Sequence, residues 1–303
     1  MDIIDSDDSV GQNRDEIIRR LQAENFFSAD GWALPKKPLD LGGVSWTPDF
    51  IAGDAALVLI VGDHVPKFLS KRLLAACDQG ISLVCAIDTV ASSSIETIRL
   101  LSQVGAAISL LTDRGFSPPL PLLKFLGTEQ VAVSKDLRRE LIDRGIECCY
   151  QATTNSAKGK TLEWLLHFMF SQVTGFRVRE CNYRTASEEL DIVIQLTTLD
   201  GARCWSHMSA PFLVAEAKNR QEKTGQEVIS KLNTIISLKR GTCKIGFVVS
   251  LSGFTSDAHT QVLKLASVDR IFVLMDINIL RRWADSLDYD SELDNIVSEA
   301  ALN

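Results

Sequence analysis

The stretch LVAEAKN, Leu213–Asn219, runs an apolar segment directly into a carboxylate and an ammonium two residues apart. On a strand, alternate side chains share a face, so Glu216 and Lys218 emerge together where the run ends. Upstream, ELDIVIQLTT carries Asp191 between Leu190 and Ile192. The turn signal Asp200-Gly201 joins this strand to CWSHMSAPFLVAEAK as a hairpin. Neighbouring strands then bring Asp191 close to Glu216. Two converging carboxylates are costly unless a cation neutralises them, and a hard divalent ion such as Mg2+ prefers such oxygens. Lys218 beside them would orient or deprotonate an attacking water, or stabilise charge on a phosphate. That set suits hydrolysis of a phosphodiester. The plainer reading of the same residues is a surface salt-bridge cluster at strand ends.

Outward from this hairpin, periodicity sets the order of elements over residues 153–285. GKTLEWLLHFMFSQVTG has Leu162, Leu165, Leu166, Met169 and Phe170 at helical spacing and stops at Gly175. FRVRECNYR alternates as a strand. After the motif come a helix in GQEVISKLNTIISLKR, a buried strand in IGFVVSL, a helix opening at GFTSDAH, a strand in IFVLMD and a helix in INILRRWADSL. The string TNSAKGKT ends like a phosphate loop, but Thr154 stands where the pattern needs glycine, so it reads as a helix start. Trp205 and Trp283 read as packing residues rather than base-stacking ones.

Asp191 followed by Glu216-Ala217-Lys218 resembles the PD-(D/E)xK nuclease signature, and residues about 155–285 resemble the restriction-endonuclease-like core, its Mrr-type branch in particular. Gly159, Leu162-Glu163, Gly175, the helix carrying Gln226 and the SGFTSDA string extend the likeness beyond the signature. The resemblance implies a mixed central sheet flanked by helices and a metal-dependent DNA endonuclease of restriction or anti-phage defence. It makes Asp191, Glu216 and Lys218 catalytic, and Asp191, Glu216 and Glu163 ligands of Mg2+, with Mn2+ expected to substitute. Gln226 is a substrate-positioning candidate; for Glu163 an ordinary first-turn carboxylate remains the alternative. Leu190 replaces the usual proline, Glu216 stands where the Mrr branch usually has Gln, and the 25 positions from Asp191 to Glu216 make a long gap that the hairpin absorbs. A non-cleaving nucleic-acid-binding or regulatory protein on the same fold, and a latent nuclease switched by a small ligand, are the competing readings.

The first half reads differently. Residues 1–45 form an amphipathic helix and a Pro/Gly-punctuated linker, and 46–152 alternate strand and helix as an open parallel α/β sheet, with a further strand expected in VAVSKD. This domain suits a sensor or dimerisation role, with a nucleotide-like ligand at the strand end Gly62-Asp63. A second reading takes Pro48-Asp49 and the following strand as a nuclease-like core without its Glu-x-Lys. Residues 286–303 read as an acidic tail. The net charge of −7 is uneven: residues 151–303 hold 17 Lys+Arg and 18 Asp+Glu, and without the six acids after Trp283 the balance is 17 to 12. A DNA partner is therefore permitted, and a homodimer is expected for two-strand cutting. The seven cysteines include no Cys-x-x-Cys pair, so neither zinc nor a disulfide framework is indicated. The acidic start MDIIDSDDSV lacks signal-peptide order and no run approaches the roughly 18 apolar residues of a membrane span, which reads as a cytoplasmic protein without membrane contact.

Overall fold

The structure, a computed structural model, describes residues 15–19, 21, 31–61, 65, 67–87, 95–112, 115–184, 189–198, 201, 203–265 and 269–302. The chain divides into two compact units, Met1–Phe125 and Leu126–Asn303.

In the first unit, β1 (Leu39–Asp40) and β2 (Ser45–Trp46) form a small antiparallel pair. The main sheet contains β3 (Phe50–Ala52), β4 (Ala55–Ile60), β5 (Ser82–Ile87) and β6 (Ala107–Thr112), with α1 (Lys67–Asp78) and α2 (Ile95–Gln103) in the crossovers. Strands β4, β5 and β6 are parallel, as expected of apolar runs separated by helices. The sheet as a whole is mixed, however. β3 runs antiparallel to β4, and the short strands β7 (Gly115–Phe116) and β8 (Leu120–Pro121) return antiparallel on β6. Pro118 and Pro119 lie in this return, which replaces a further βα unit. Within the amphipathic start, Leu21 is buried with Phe50, Leu57 and Leu59. Asp49, buried, accepts the Leu59 N–H at 2.8 Å and so fastens β4 to the chain before β3. Gly62 and Asp63 lie outside the described residues.

α3 (Leu122–Thr128) spans the division, and the second unit continues with α4 (Lys135–Gln151) and α5 (Asn155–Ser171). The expected strand in VAVSKD is absent. The side chain of Gln172 serves as its partner instead, donating to Val131 O at 2.9 Å and accepting the Val133 N–H at 3.2 Å. Ser134 then caps α4, accepting from Leu137 N. The expected boundary at 152/153 therefore falls inside the second unit, because α4 packs on α5. Thr154 caps α5 in the same way, which places Ala157–Thr161 within the helix.

The unit's sheet has the order β13-β12-β11-β10-β9, built from β9 (Phe176–Arg184), β10 (Glu189–Leu196), β11 (Phe212–Lys218), β12 (Cys243–Ser250) and β13 (Ile271–Met275). β9, β10 and β11 are antiparallel neighbours; β11, β12 and β13 are parallel. Between β10 and β11 stands α6 (Cys204–His207), within the string expected to be strand; Asp200 of the expected turn lies outside the described residues. Trp205 is the cause: it is buried edge-on against Phe176 at 5.1 Å, and Asp294 accepts the Cys204 N–H at 2.6 Å. α7 (Gln226–Ser237), α8 (Ser256–Leu265) and α9 (Ile277–Asp285) complete the expected order. The segment expected as an acidic tail is α10 (Tyr289–Leu302), with Tyr289, Leu293, Ile296 and Val297 buried. Its acids are occupied: Glu292 and Glu299 pair with Arg282 at 2.8 and 2.9 Å. Trp283 is fully buried, stacked on Tyr289 at 4.6 Å. Among the described residues no helix is long and apolar enough to cross a membrane.

From Leu165 to Phe170 α5 is buried all round, and Leu162, Leu165, Leu166, Phe168, Met169 and Phe170 are inaccessible to solvent. Gly127 lies against its backbone: a Cβ there would stand 3.0 Å from the His167 carbonyl oxygen. Gly127→Ala is expected to destabilise the second unit by roughly 1–3 kcal/mol, because backbone cannot yield as a flexible side chain does. Urea unfolding measures it, and an unchanged midpoint contradicts the close packing.

Candidate active site

β11 is the middle strand of the second sheet and is buried from Leu213 to Ala217, which explains its largely apolar run. Glu216 interrupts that run and is itself buried, with its side chain 4 % exposed. A buried carboxylate needs compensation. Lys218 Nζ supplies it at 2.6 Å from Oε1, and Lys231 Nζ on α7 stands 3.8 Å from the same oxygen. Glu216 Oε2 has no hydrogen-bond partner among the described residues.

The pairing Ile192↔Ala215 of β10 with β11, continued by one residue, sets Asp191 opposite Glu216. The backbone ladder ends there, and the Asp191 carboxylate takes over as acceptor: Oδ2 receives the Ala217 N–H at 2.7 Å. The same oxygen lies 3.9 Å from Lys218 Nζ, so one ammonium serves both acids. Burial pushes the Asp191 carboxyl up to about 6, and repulsion from Glu216 adds to it. The Ala217 N–H and Lys218 act against the rise, while Glu163 reinforces it.

Asp191 and Lys218 open into a cleft of about 810 Å³, whose wall includes Glu163 and Lys158 from α5 and residues 219–222 after the motif. Glu163 sits two turns into α5, so the first-turn alternative does not apply to it. Gln226 is the exposed first residue of α7 and is not part of the cleft wall. Asn219 Nδ2 ties the end of β11 to the carbonyl oxygens of Cys149 and Lys158, each at 3.0 Å. Neither Lys231 nor Asn219 stood out in the sequence, although Asn219 directly follows the motif.

A hard divalent cation suits this donor set: an orphaned buried carboxylate oxygen, a second acid made harder to ionise by burial and by the first, and a third acid on the same cleft. Among the described residues no three acidic, histidine or cysteine side chains form a ready-made metal cluster; the ammonium of Lys218 holds Asp191 and Glu216 together.

Residues 154–284 match the restriction endonuclease (Mrr_cat) family model. The matched segment takes in α5, all five strands of the second sheet and the three residues of the motif. The match supports a restriction-type endonuclease. No curated protein matches the sequence. Among solved structures, the crystal structure of protein VC1899 from Vibrio cholerae is similar at 11% identity, with 82% of this chain and 92% of that one covered and a TM-score of 0.31.

Proposed function

We propose that the Mrr-type domain is a divalent-metal-dependent DNA endonuclease acting in restriction or anti-phage defence. The observation that carries this reading is the Asp191–Lys218–Glu216 contact at the end of β11, inside the segment that matches the restriction endonuclease family. Asp191 and Glu216 would hold Mg2+, or Mn2+ in its place, with Glu163 assisting. The ion would supply positive charge to the phosphate under attack. Lys218 would hold or accept a proton at Nζ, or donate to a phosphate oxygen as charge grows there. Asn219 keeps that lysine's strand end in place, and Gln226 is retained as a weaker positioning candidate.

The first unit would act as a sensor or dimerisation module, taking a nucleotide-like ligand at Gly62-Asp63. Cutting both strands would require a homodimer with two such sites. The metal requirement has a direct test. Protein stripped with EDTA is expected to leave supercoiled plasmid intact and to nick or linearise it once Mg2+ or Mn2+ is restored. Cutting in EDTA would refute the metal dependence. Salt-dependent binding with no cutting in either ion would favour the non-cleaving reading.

A further inference from the structure

Residues 219–224 form a surface segment fixed at both ends. At its start Asn219 reaches two carbonyl oxygens on α4 and α5. At its end the buried Thr224 donates through Oγ1 to Ser250 Oγ at 2.8 Å and through its N–H to Gly253 O at 2.9 Å. Thr224 O accepts the Thr255 N–H at 3.0 Å. Ser250 Oγ donates onward to Gly253 O at 3.0 Å, and Ser252 Oγ donates to Glu222 O at 2.6 Å. Ser250 is fully buried and pairs with Lys218 in the β11–β12 register, so this network is anchored beside the candidate lysine.

The hydrogen bonds hold the backbone that carries three exposed side chains, Arg220, Gln221 and Glu222, which add nothing to the core. What the three share is the cleft, whose wall they form together with Lys158, Asp191 and Lys218. Arg220 and the Lys158 ammonium have no ion-pair or hydrogen-bond partner among the described residues, although carboxylates line the same cleft. A guanidinium on a pre-ordered support can meet a phosphate bidentately at a low ordering cost.

Resting on the nuclease reading, we propose that Arg220 and Lys158 are substrate-binding cations that contact the DNA backbone phosphates flanking the scissile one. Thr224 and Ser250 are positioning residues that hold Arg220 in place. Neither cation belongs to the metal-binding or proton-handling set.

The test uses the full chain in two assays. In binding to a random-sequence duplex in Ca2+, Arg220→Ala and Lys158→Ala are each expected to lower the salt slope, log Kobs against log salt, by about 1. In plasmid cleavage both are expected to raise KM by roughly tenfold, with kcat within about twofold of wild type. Thr224→Val, which keeps every charge, is expected to raise KM by roughly threefold or more, and Thr224→Ser to restore it. A wild-type slope and KM in both cation variants of a protein that binds and cuts DNA would overturn the proposal. Lowered slopes in a protein that never cuts would overturn the nuclease reading while supporting the cation assignment. A chain that does not bind DNA at all would overturn both.

Discussion

Replacing Lys218 with methionine is expected to cost the metal-free protein roughly 3 kcal/mol at pH 8, at the low end for breaking a buried ion pair by removing one partner. The reason lies in the two acids left behind. Glu216 is 4 % and Asp191 15 % exposed, and both rely on the same ammonium. Lys231 is the nearest remaining cation, but it is 58 % exposed and 3.8 Å from Glu216, so it screens the pair weakly. In thermal unfolding the transition of the second unit should fall by roughly 6–12 °C. Two conditions should recover it: acidification, because burial already pushes the Asp191 carboxyl up and it can then take up a proton, and millimolar Mg2+, which would replace the missing positive charge. An unchanged transition at pH 8 would mean that the ammonium is a solvated surface group.

Asp191→Asn is expected to have the opposite effect on stability. The native carboxyl is pushed up to about 6 from its ordinary 3.8, so between these values the folded chain binds more protons than the unfolded one. Stability therefore falls as pH rises through that window, and the full penalty is present above about pH 6. A shift of this size corresponds to about 3 kcal/mol, which asparagine removes while its carbonyl oxygen can still accept the Ala217 N–H. Without metal the variant should melt above wild type at pH 8, with the difference vanishing near pH 4. Mg2+ should stabilise the wild type and leave the variant unmoved. Equal melting of the two proteins across this range would contradict the electrostatic account of the site.

The parts of the fold that were legible in the sequence are those set by local pattern. The apolar run of β11, the alternation of β9 and β10 and the helical spacing of α5 and α7 each depend on neighbours a few residues away. Asp191, Glu216 and Lys218 were legible for the same reason, since strand alternation and an antiparallel neighbour suffice to bring them together. Long-range contacts account for most of what was missed. Val131 and Val133 look like strand residues, but their hydrogen bonds go to the side chain of Gln172. Trp205 lies in a string that reads as strand, yet burial against Phe176 and a cap from Asp294 make it helical. The acids after Trp283 read as a solvated tail because neither Arg282 nor the buried face of α10 shows in their charge. Asn219 could not be singled out, since its partners are 70 and 61 positions away, and the Thr224–Ser250 contact spans 26.

The shared ammonium also links stability to activity. A site that keeps two acids buried around one lysine is expected to be less stable than its asparagine variant, a cost that a bound cation would offset. Cleavage of supercoiled plasmid in Mg2+ by wild type, Asp191→Asn and Lys218→Met at equal concentration tests this most directly. The account predicts conversion by the wild type and a loss of roughly 10³-fold in both variants, several kcal/mol of transition-state stabilisation. Variants that stay folded and cut at the wild-type rate would contradict it.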